Sequence, residues 1–168
     1  MIRNEIRYTG CFRVIWCRLQ NVRLNAKTMD AGIKQAIERG VEREPFAQAL
    51  GMELKELETG FSAVEMTYQP ALMDNLFGRA HGGALFALID EAFEAVCQSE
   101  GTVTVGLNVS VTYVASPRAG ARLRGEAREI SRTSQTVNYS IVVKDQDGRT
   151  ITTCQALGFR TGKPLPFL

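Results

Sequence analysis

The pattern of hydrophobic and polar residues becomes regular at Asp30, where it first predicts two short helices. Ile37 and Val41 continue a helical repeat that begins at Asp30 as N-cap, and Gly40 is interpreted as a break in it. A second helix of one or two turns is predicted to end at Gly51, because glycine tolerates the left-handed backbone of a helix C-cap.

One long helix is predicted over residues 81–99. Residues 84–89 are all apolar and would present apolar side chains on every face of a helix. This helix must therefore be buried on several sides rather than lie on a surface. Alternation of apolar and polar residues predicts strands before and after it. Asp145 to Gly148 predicts a hairpin, and residues 163–166 are expected to leave the sheet because proline cannot donate to a strand ladder. The predicted strands are 52–57, 61–68, 103–113, 123–130, 137–143 and 151–159, and residues 70–80 are predicted to be loop.

These elements predict an α+β fold, in which a five- to six-stranded antiparallel sheet wraps one central helix. The chain has 168 residues, 45% hydrophobic and 23% charged, as is typical of one soluble globular domain. Its net charge of +2 is too balanced to indicate nucleic-acid binding. No apolar run approaches the ~20 residues that cross a bilayer, so we expect no membrane partner.

The cysteines and the single histidine exclude several kinds of site. Cys11, Cys17, Cys97 and Cys154 form no CxxC pair, so we expect no metal, and such scattered thiols favour a reducing, cytoplasmic compartment. His81 is the only imidazole, and the chain contains no G-x-S-x-G, Walker or G-x-G-x-x-G motif.

Residues 1–28 differ from the rest in charge. They hold six basic side chains against Glu5 alone, without a helical or strand period. Arg13 and Arg18 interrupt the apolar stretch that a signal peptide would need. We expect residues 1–28 to be an ill-ordered basic extension, Met29 to be the functional start, and residues 29–168 to form the domain.

The segment from Asn75 to Gly83 reads N-x-x-G-x-x-H-G-G, and Asp90 follows seven positions after the second glycine. This pattern resembles the signature of the hotdog-fold thioesterases, specifically the PaaI-like group, over roughly residues 30 to 162. The resemblance implies a hotdog fold and hydrolysis of an acyl-CoA thioester to a free acid and CoA. It also implies a homodimer or a homotetramer built as a dimer of dimers, and no cofactor.

The glycines at the start of the long helix suit an oxyanion. The first helical N–H groups lack partners within the helix, and the helix dipole favours negative charge there. By the resemblance, the Gly82 N–H polarises the thioester carbonyl and Gly83 belongs to the substrate-binding surface. Alternatively, Gly82 and Gly83 merely permit a tight turn into the helix.

Asp90 interrupts an apolar helix and is a poor helix former, which favours a chemical role. It would act as general base on water or as a nucleophile that forms a mixed anhydride. Alternatively it lies on a solvated edge beside Glu91 and Glu94, and Glu91 is a substitute candidate for the catalytic carboxylate. Gly82 and Asp90 are eight residues apart, about 12 Å along a helix, so both can act on one thioester only if the site lies between two subunits.

The remaining candidates each have a structural alternative. His81 would donate toward the thioester sulfur, or else act as a cap or hold the loop of Asn75. By the resemblance Asn75 orients the water or the carbonyl, and alternatively it forms an Asx-turn. The resemblance also implies a polar side chain beside the carboxylate, on the strand after the helix, and the candidates are Asn108, Thr104 and Ser110.

Substrate-binding candidates are less specific. Phe77 and Phe86 would line the acyl pocket, although both are also ordinary core residues. Arg118 would meet the CoA phosphates, although a solvated position is typical of such a residue. Two alternative functions remain: a non-catalytic acyl-CoA-binding or sensing protein, and a hotdog dehydratase or hydratase.

Overall fold

The computed structural model describes residues 28–168. The expected extension, residues 1–28, therefore lies outside the described residues except for Thr28. No helix in this described range is long and apolar enough to cross a membrane. The elements in chain order are α1 Ala31–Arg43, α2 Pro45–Leu50, β1 Glu53–Glu58, β2 Phe61–Thr67, α3 Pro70–Met73, α4 Gly82–Cys97, β3 Thr102–Tyr113, β4 Arg122–Arg132, β5 Thr136–Asp145 and β6 Thr150–Pro164.

Helix α1 begins as the sequence predicts but ends later. The Asp30 carboxylate caps it by accepting from the N–H groups two and three residues further on, at 2.8 and 3.1 Å. The predicted break at Gly40 is wrong, because the helix continues to Arg43. Pro45 ends it, since a residue before proline is held out of the helical region, and Glu44 is extended with ψ at 120°.

The short elements that follow lie close to their predicted positions. Gly51 ends α2 in the left-handed conformation with φ at +65°, as expected. Strands β1 and β2 begin and end within a residue of prediction. The predicted loop at 70–80 differs, because its first four residues form the single-turn helix α3, which starts at Pro70.

The six strands form one antiparallel sheet in the order β1-β2-β4-β5-β6-β3. The predicted hairpin between β5 and β6 is confirmed: the Asp145 carboxylate accepts from the N–H groups of Asp147 and Arg149, and Gly148 has φ at +79°. Strand β3 follows α4 in the chain. Among the described residues it pairs only with β6, so this twelve-residue strand forms one edge of the sheet.

Helix α4 packs against the sheet, which confirms the α+β layout. Leu88, Ile89, Ala92 and Val96 are fully buried between the helix and the strands. The helix is buried on several sides, as predicted, but one stripe of residues along it is not covered by the sheet. That open stripe consists of Gly83, Phe86, Asp90 and Glu94, which recur at helical spacing and stay exposed or half-buried.

Residues 163–166 were expected to leave the sheet, but only the last two of them do. Strand β6 extends to Pro164, which pairs with Thr102 at the very end of the ladder, where a missing N–H is tolerated. Leu165 then turns inward and is only 4% exposed. It belongs to a second small core with Ile37, Val41, Leu57 and Ala95.

Candidate active site

The start of α4 leaves one amide free. The His81 ring caps the helix, because its Nδ1 accepts from the Gly83 N–H at 2.9 Å. The His81 carbonyl accepts from the N–H groups of Ala84 and Leu85. Within residues 28–168, the Gly82 N–H has no acceptor. The donor that the helix start presents is therefore this single group, and the cap reading of His81 is confirmed.

Tyr113, which the sequence analysis missed, holds the carbonyl side of Gly82. Its hydroxyl donates to the Gly82 carbonyl at 3.2 Å. A Cβ at position 82 would lie 3.1 Å from the tyrosine ring, so a glycine fits closely here. No local pattern signals this contact, because Tyr113 lies 31 residues away along the chain.

The loop before α4 is shaped by Asn75. Its Oδ1 accepts from the N–H groups of Phe77 at 2.9 Å and Arg79 at 3.3 Å, which is the predicted Asx-turn. The loop is closed by a hydrogen bond from the Asn75 N–H to the Arg79 carbonyl and by one from the His81 N–H to the Met73 carbonyl. Since Oδ1 is occupied, the Asn75 amide can present only its Nδ2 donors to a ligand.

Two large apolar side chains lie at the tip of this loop. Leu76 is 99% exposed and Phe77 is 83% exposed, so Phe77 is not a core residue of the single protomer. Exposed apolar residues at a loop tip indicate contact with a ligand or another protein surface.

A groove of about 760 Å³ runs between α4 and β3, and it contains the second set of predicted residues. Asp90, Phe86 and Asn108 all line it, as does Thr104, while Ser110 does not. Phe93 forms its floor beside Gly106, where a Cβ would lie 3.1 Å from the phenyl ring.

A β-bulge interrupts β3 where this strand lines the groove. Gly106 pairs with Gly158 and Asn108 with Leu157, which leaves Leu107 as an extra residue. Bulges re-aim side chains next to functional sites, and this one lies in the wall opposite Asp90. A glycine inside the alternating strand is the sequence signal that would have indicated it.

Two adjacent carboxylates of α4 lie in different surroundings. Asp90 remains accessible in the groove, although desolvation by the groove walls raises its pKa above the ordinary value. Glu91 is 3% exposed, does not line the groove, and has an Oε1 without a hydrogen-bond partner among the described residues. Burial, with the charges of Glu44, Glu94 and Asp90, raises the pKa of Glu91 to about 8.

The single protomer thus separates the candidates into two groups. Asn75, His81, Gly82 and Gly83 lie at the start of α4, and none of them lines the groove that holds Asp90. The eight residues from Gly82 to Asp90 span about 12 Å of straight helix. Arg118 belongs to neither group, since it is exposed in the turn after β3.

Comparison with known proteins identifies relatives of this arrangement. Residues 77–152 match the Thioesterase superfamily. The acyl-coenzyme A thioesterase PaaI of Escherichia coli is 31% identical over 121 residues, which cover 72% of this chain and 86% of that protein. The proofreading thioesterase EntH of Klebsiella pneumoniae is 32% identical over 114 residues, covering 63% of this chain and 78% of that protein.

Solved structures show the same fold. The structure of E. coli PaaI, from the phenylacetic acid degradation operon, has a TM-score of 0.74 and 29% identity, covering 79% of this chain and 95% of that one. The smu.793 protein of Streptococcus mutans, solved with acetyl-CoA bound, has a TM-score of 0.64 and 26% identity, covering 68% of this chain and 91% of that one. These likenesses confirm the predicted hotdog fold.

The buried Glu91 makes stability depend on pH. The folded chain keeps a proton on Glu91 up to about pH 8, whereas the unfolded chain releases it near the ordinary glutamate pKa. Between these values stability falls as pH rises, by up to about 1.4 kcal/mol per pH unit. Glu91→Gln removes this loss, so the Tm of the variant minus that of the wild type should grow from pH 5 to pH 8 and then level off.

Thermal unfolding at several pH values measures this difference. Glu58→Gln, which removes an exposed carboxylate on β1, is the matched control and should change stability by less than about 0.5 kcal/mol. A Tm difference for Glu91→Gln that stays constant with pH would contradict the assignment.

Proposed function

Because this chain belongs to the thioesterase superfamily and is similar to its PaaI-like members, we propose that it hydrolyses an acyl-CoA thioester to a free acid and CoA. The observation that carries the proposal is the single free amide at Gly82, at the start of a helix that also bears Asp90 in a groove. A donor for the carbonyl oxygen and a carboxylate for water are what acyl transfer to water requires.

In the proposed reaction the Gly82 N–H donates to the thioester oxygen. As water adds to the carbonyl carbon, that oxygen gains negative charge, which the amide and the helix dipole stabilise. The His81 cap contributes by occupying the neighbouring Gly83 N–H, so that the start of the helix offers the substrate one defined backbone donor. Tyr113 acts as a positioning residue through its bond to the Gly82 carbonyl.

Asn75 supplies a second donor in this scheme. The loop amides fix its Oδ1, and this orients the Nδ2 hydrogens away from the loop. We assign Nδ2 to the thioester carbonyl, because that oxygen gains negative charge in the reaction and a second donor stabilises it.

Asp90 is assigned as general base. Desolvation by the groove walls raises its pKa, which makes the Asp90 carboxylate a stronger proton acceptor than an ordinary aspartate. Asp90 takes a proton from water as the oxygen bonds to the carbonyl carbon. The carbon–sulfur bond then breaks, and the departing thiolate of CoA receives the proton from Asp90. Asn108 lies in the same groove and would orient the water.

The two groups meet only when a second copy of the chain is present. Within residues 28–168, no strand pairs with the outer side of β3, and its apolar side chains Val105 and Leu107 are 45% and 57% exposed. Such an edge favours pairing with other chains. Pairing β3 with its copy across a two-fold axis covers this edge and brings the open stripes of two α4 helices together. Gly82 of one copy then faces Asp90 of the other, and a dimer holds two such sites.

The substrate class follows from the relatives. PaaI of E. coli is named an acyl-coenzyme A thioesterase, and the S. mutans structure contains acetyl-CoA. In this proposal Phe86 and the exposed Phe77 line the acyl site from the two copies, with Gly83 at its rim. Arg118 is proposed to bind the CoA phosphates, since it is exposed and a guanidinium can donate two hydrogen bonds to one phosphate.

Removing only the Gly82 donor tests the oxyanion assignment. Proline at the first helical position keeps the helix, and His81 already has the extended backbone that a residue before proline needs, with φ at −65° and ψ at 134°. Gly82→Pro should therefore lower kcat by about 10²–10³-fold. Gly82→Ala is the control, because it keeps the N–H and only displaces the Tyr113 ring by a few tenths of an ångström. Equal losses in the two variants would sink the assignment.

Removing the base tests Asp90. Asp90→Asn should lower kcat by about 10²–10⁴-fold in thiol-release assays with a panel of acyl-CoAs. In the wild type kcat/KM should fall as the pH drops through the raised Asp90 pKa, because the base must be ionised. Glu91→Gln, the substitute candidate, is buried away from the groove and should keep the wild-type kcat.

Other outcomes of this assay identify the competing functions. Labelled solvent oxygen recovered in Asp90 after one turnover would make it a nucleophile. Tight binding without turnover in the wild type would indicate a sensor, and hydration of crotonyl-CoA would indicate a hydratase.

Mixing inactive subunits tests the shared site. In an equal mixture of Asp90→Asn and Gly82→Pro chains, about half of the dimers are mixed, and each mixed dimer holds one intact site. Activity should therefore return to about a quarter of the wild-type value. Each variant alone is the control, and sizing in solution distinguishes a dimer from a dimer of dimers. A mixture that stays inactive despite exchange of subunits contradicts a site built from two copies.

A further inference from the structure

Two cavities meet at the side chain of Phe167. The groove that contains Asp90 has a volume of about 760 Å³, and a second cavity beneath α1 has a volume of about 320 Å³. The two share three lining residues, Glu94, Gln98 and Phe167. These three residues separate the two cavities. Glu94 lies in α4 and Gln98 directly follows it, so Phe167 is the one of the three that lies away from the helix.

The segment of residues 165–167 holds this ring in place. Leu165 anchors the segment, because it is 4% exposed and packs against α1 and α4. Pro166 and Phe167 both line the groove, and Phe167 is 50% exposed. The ring is therefore positioned by a buried anchor without being part of the core itself.

The groove between Asp90 and Phe167 suits an acyl group. From Asp90 to Gln98 it follows eight residues of helix, about 12 Å. Phe93 and Cys97 line it from α4, and Val103 and Val105 line it from β3. Apart from Glu94, Gln98 and Thr104, the side chains that line this part of the groove are apolar or weakly polar, and such walls favour the binding of a hydrocarbon.

We propose that Phe167 sets the length of the acyl group, by closing the end of the groove remote from Asp90 and separating it from the second cavity. This inference rests on the proposed thioesterase function. In the wild type an acyl group ends against the ring. Without the ring the groove continues into the second cavity. Ile37, Val41 and Ala95 form the apolar part of its lining, and Arg43, Glu44 and Glu94 form a charged part.

Substitutions at this position should change the acyl preference in opposite directions. Phe167→Ala joins the cavities, so kcat/KM for palmitoyl-CoA relative to hexanoyl-CoA should rise at least about tenfold. Phe167→Trp fills more of the groove, so kcat/KM for decanoyl-CoA relative to hexanoyl-CoA should fall. Acetyl-CoA reports the chemistry alone and should be hydrolysed by all variants at the wild-type rate. Leu168→Ala is the matched control, because Leu168 is exposed and lines neither cavity.

The measurement is kcat/KM of the full chain over acetyl-, hexanoyl-, decanoyl- and palmitoyl-CoA. A preference that is the same in Phe167→Ala, Phe167→Trp and the wild type overturns the proposal, as does an equal loss for every substrate. If the wild type hydrolyses an aromatic acyl-CoA but none of these four thioesters, the proposal for Phe167 is overturned while the proposed function stands. If it hydrolyses no acyl-CoA at all, the proposed function itself fails.

Discussion

The burial of α4 against the sheet is the interaction on which the other features depend. Its apolar residues, such as Leu88 and Ala92, are fully covered by the strands, and this fixes which face of the helix turns toward them. The remaining face carries the open stripe, and Asp90 lies on it because it is in helical phase with Gly83 and Phe86. The same packing that gives the fold its core thus determines where the carboxylate is exposed.

Neighbouring positions on this helix have opposite surroundings for the same reason. Asp90 and Glu91 are turned by about 100° relative to each other, so one faces the groove and the other faces the protein interior. Desolvation acts on both carboxyl groups, but only Glu91 is enclosed enough to have its pKa raised to about 8. An accessible carboxylate and a buried one are therefore adjacent in the sequence.

Much of this arrangement could be predicted from local patterns. Asp30, Gly51 and the hairpin at Asp145 are predictable because capping and turn chemistry involve residues within a few positions of each other. Gly40 misled the prediction, since an exposed glycine only weakens a helix, whereas proline at position 45 ends it.

The contacts that a single sequence does not reveal are those between distant segments. Tyr113 contacts Gly82 because β3 packs against α4, and Phe167 lines the groove of Asp90 because β6 pairs with β3. No spacing of residues along the sequence indicates either contact. The unpaired amide of Gly82 is likewise visible only once the His81 ring is seen to occupy the next one.

In the proposed site, the number of residues between Gly82 and Asp90 along α4 is fixed. Each residue added or removed between them would rotate the carboxylate by about 100° and shift it by 1.5 Å, out of the groove and into the core. Side chains in this stretch can be exchanged, but its length cannot vary, whereas the loops on either side of the helix are free of that constraint. Insertions that diversify such a protein are therefore confined to the segments outside this interval.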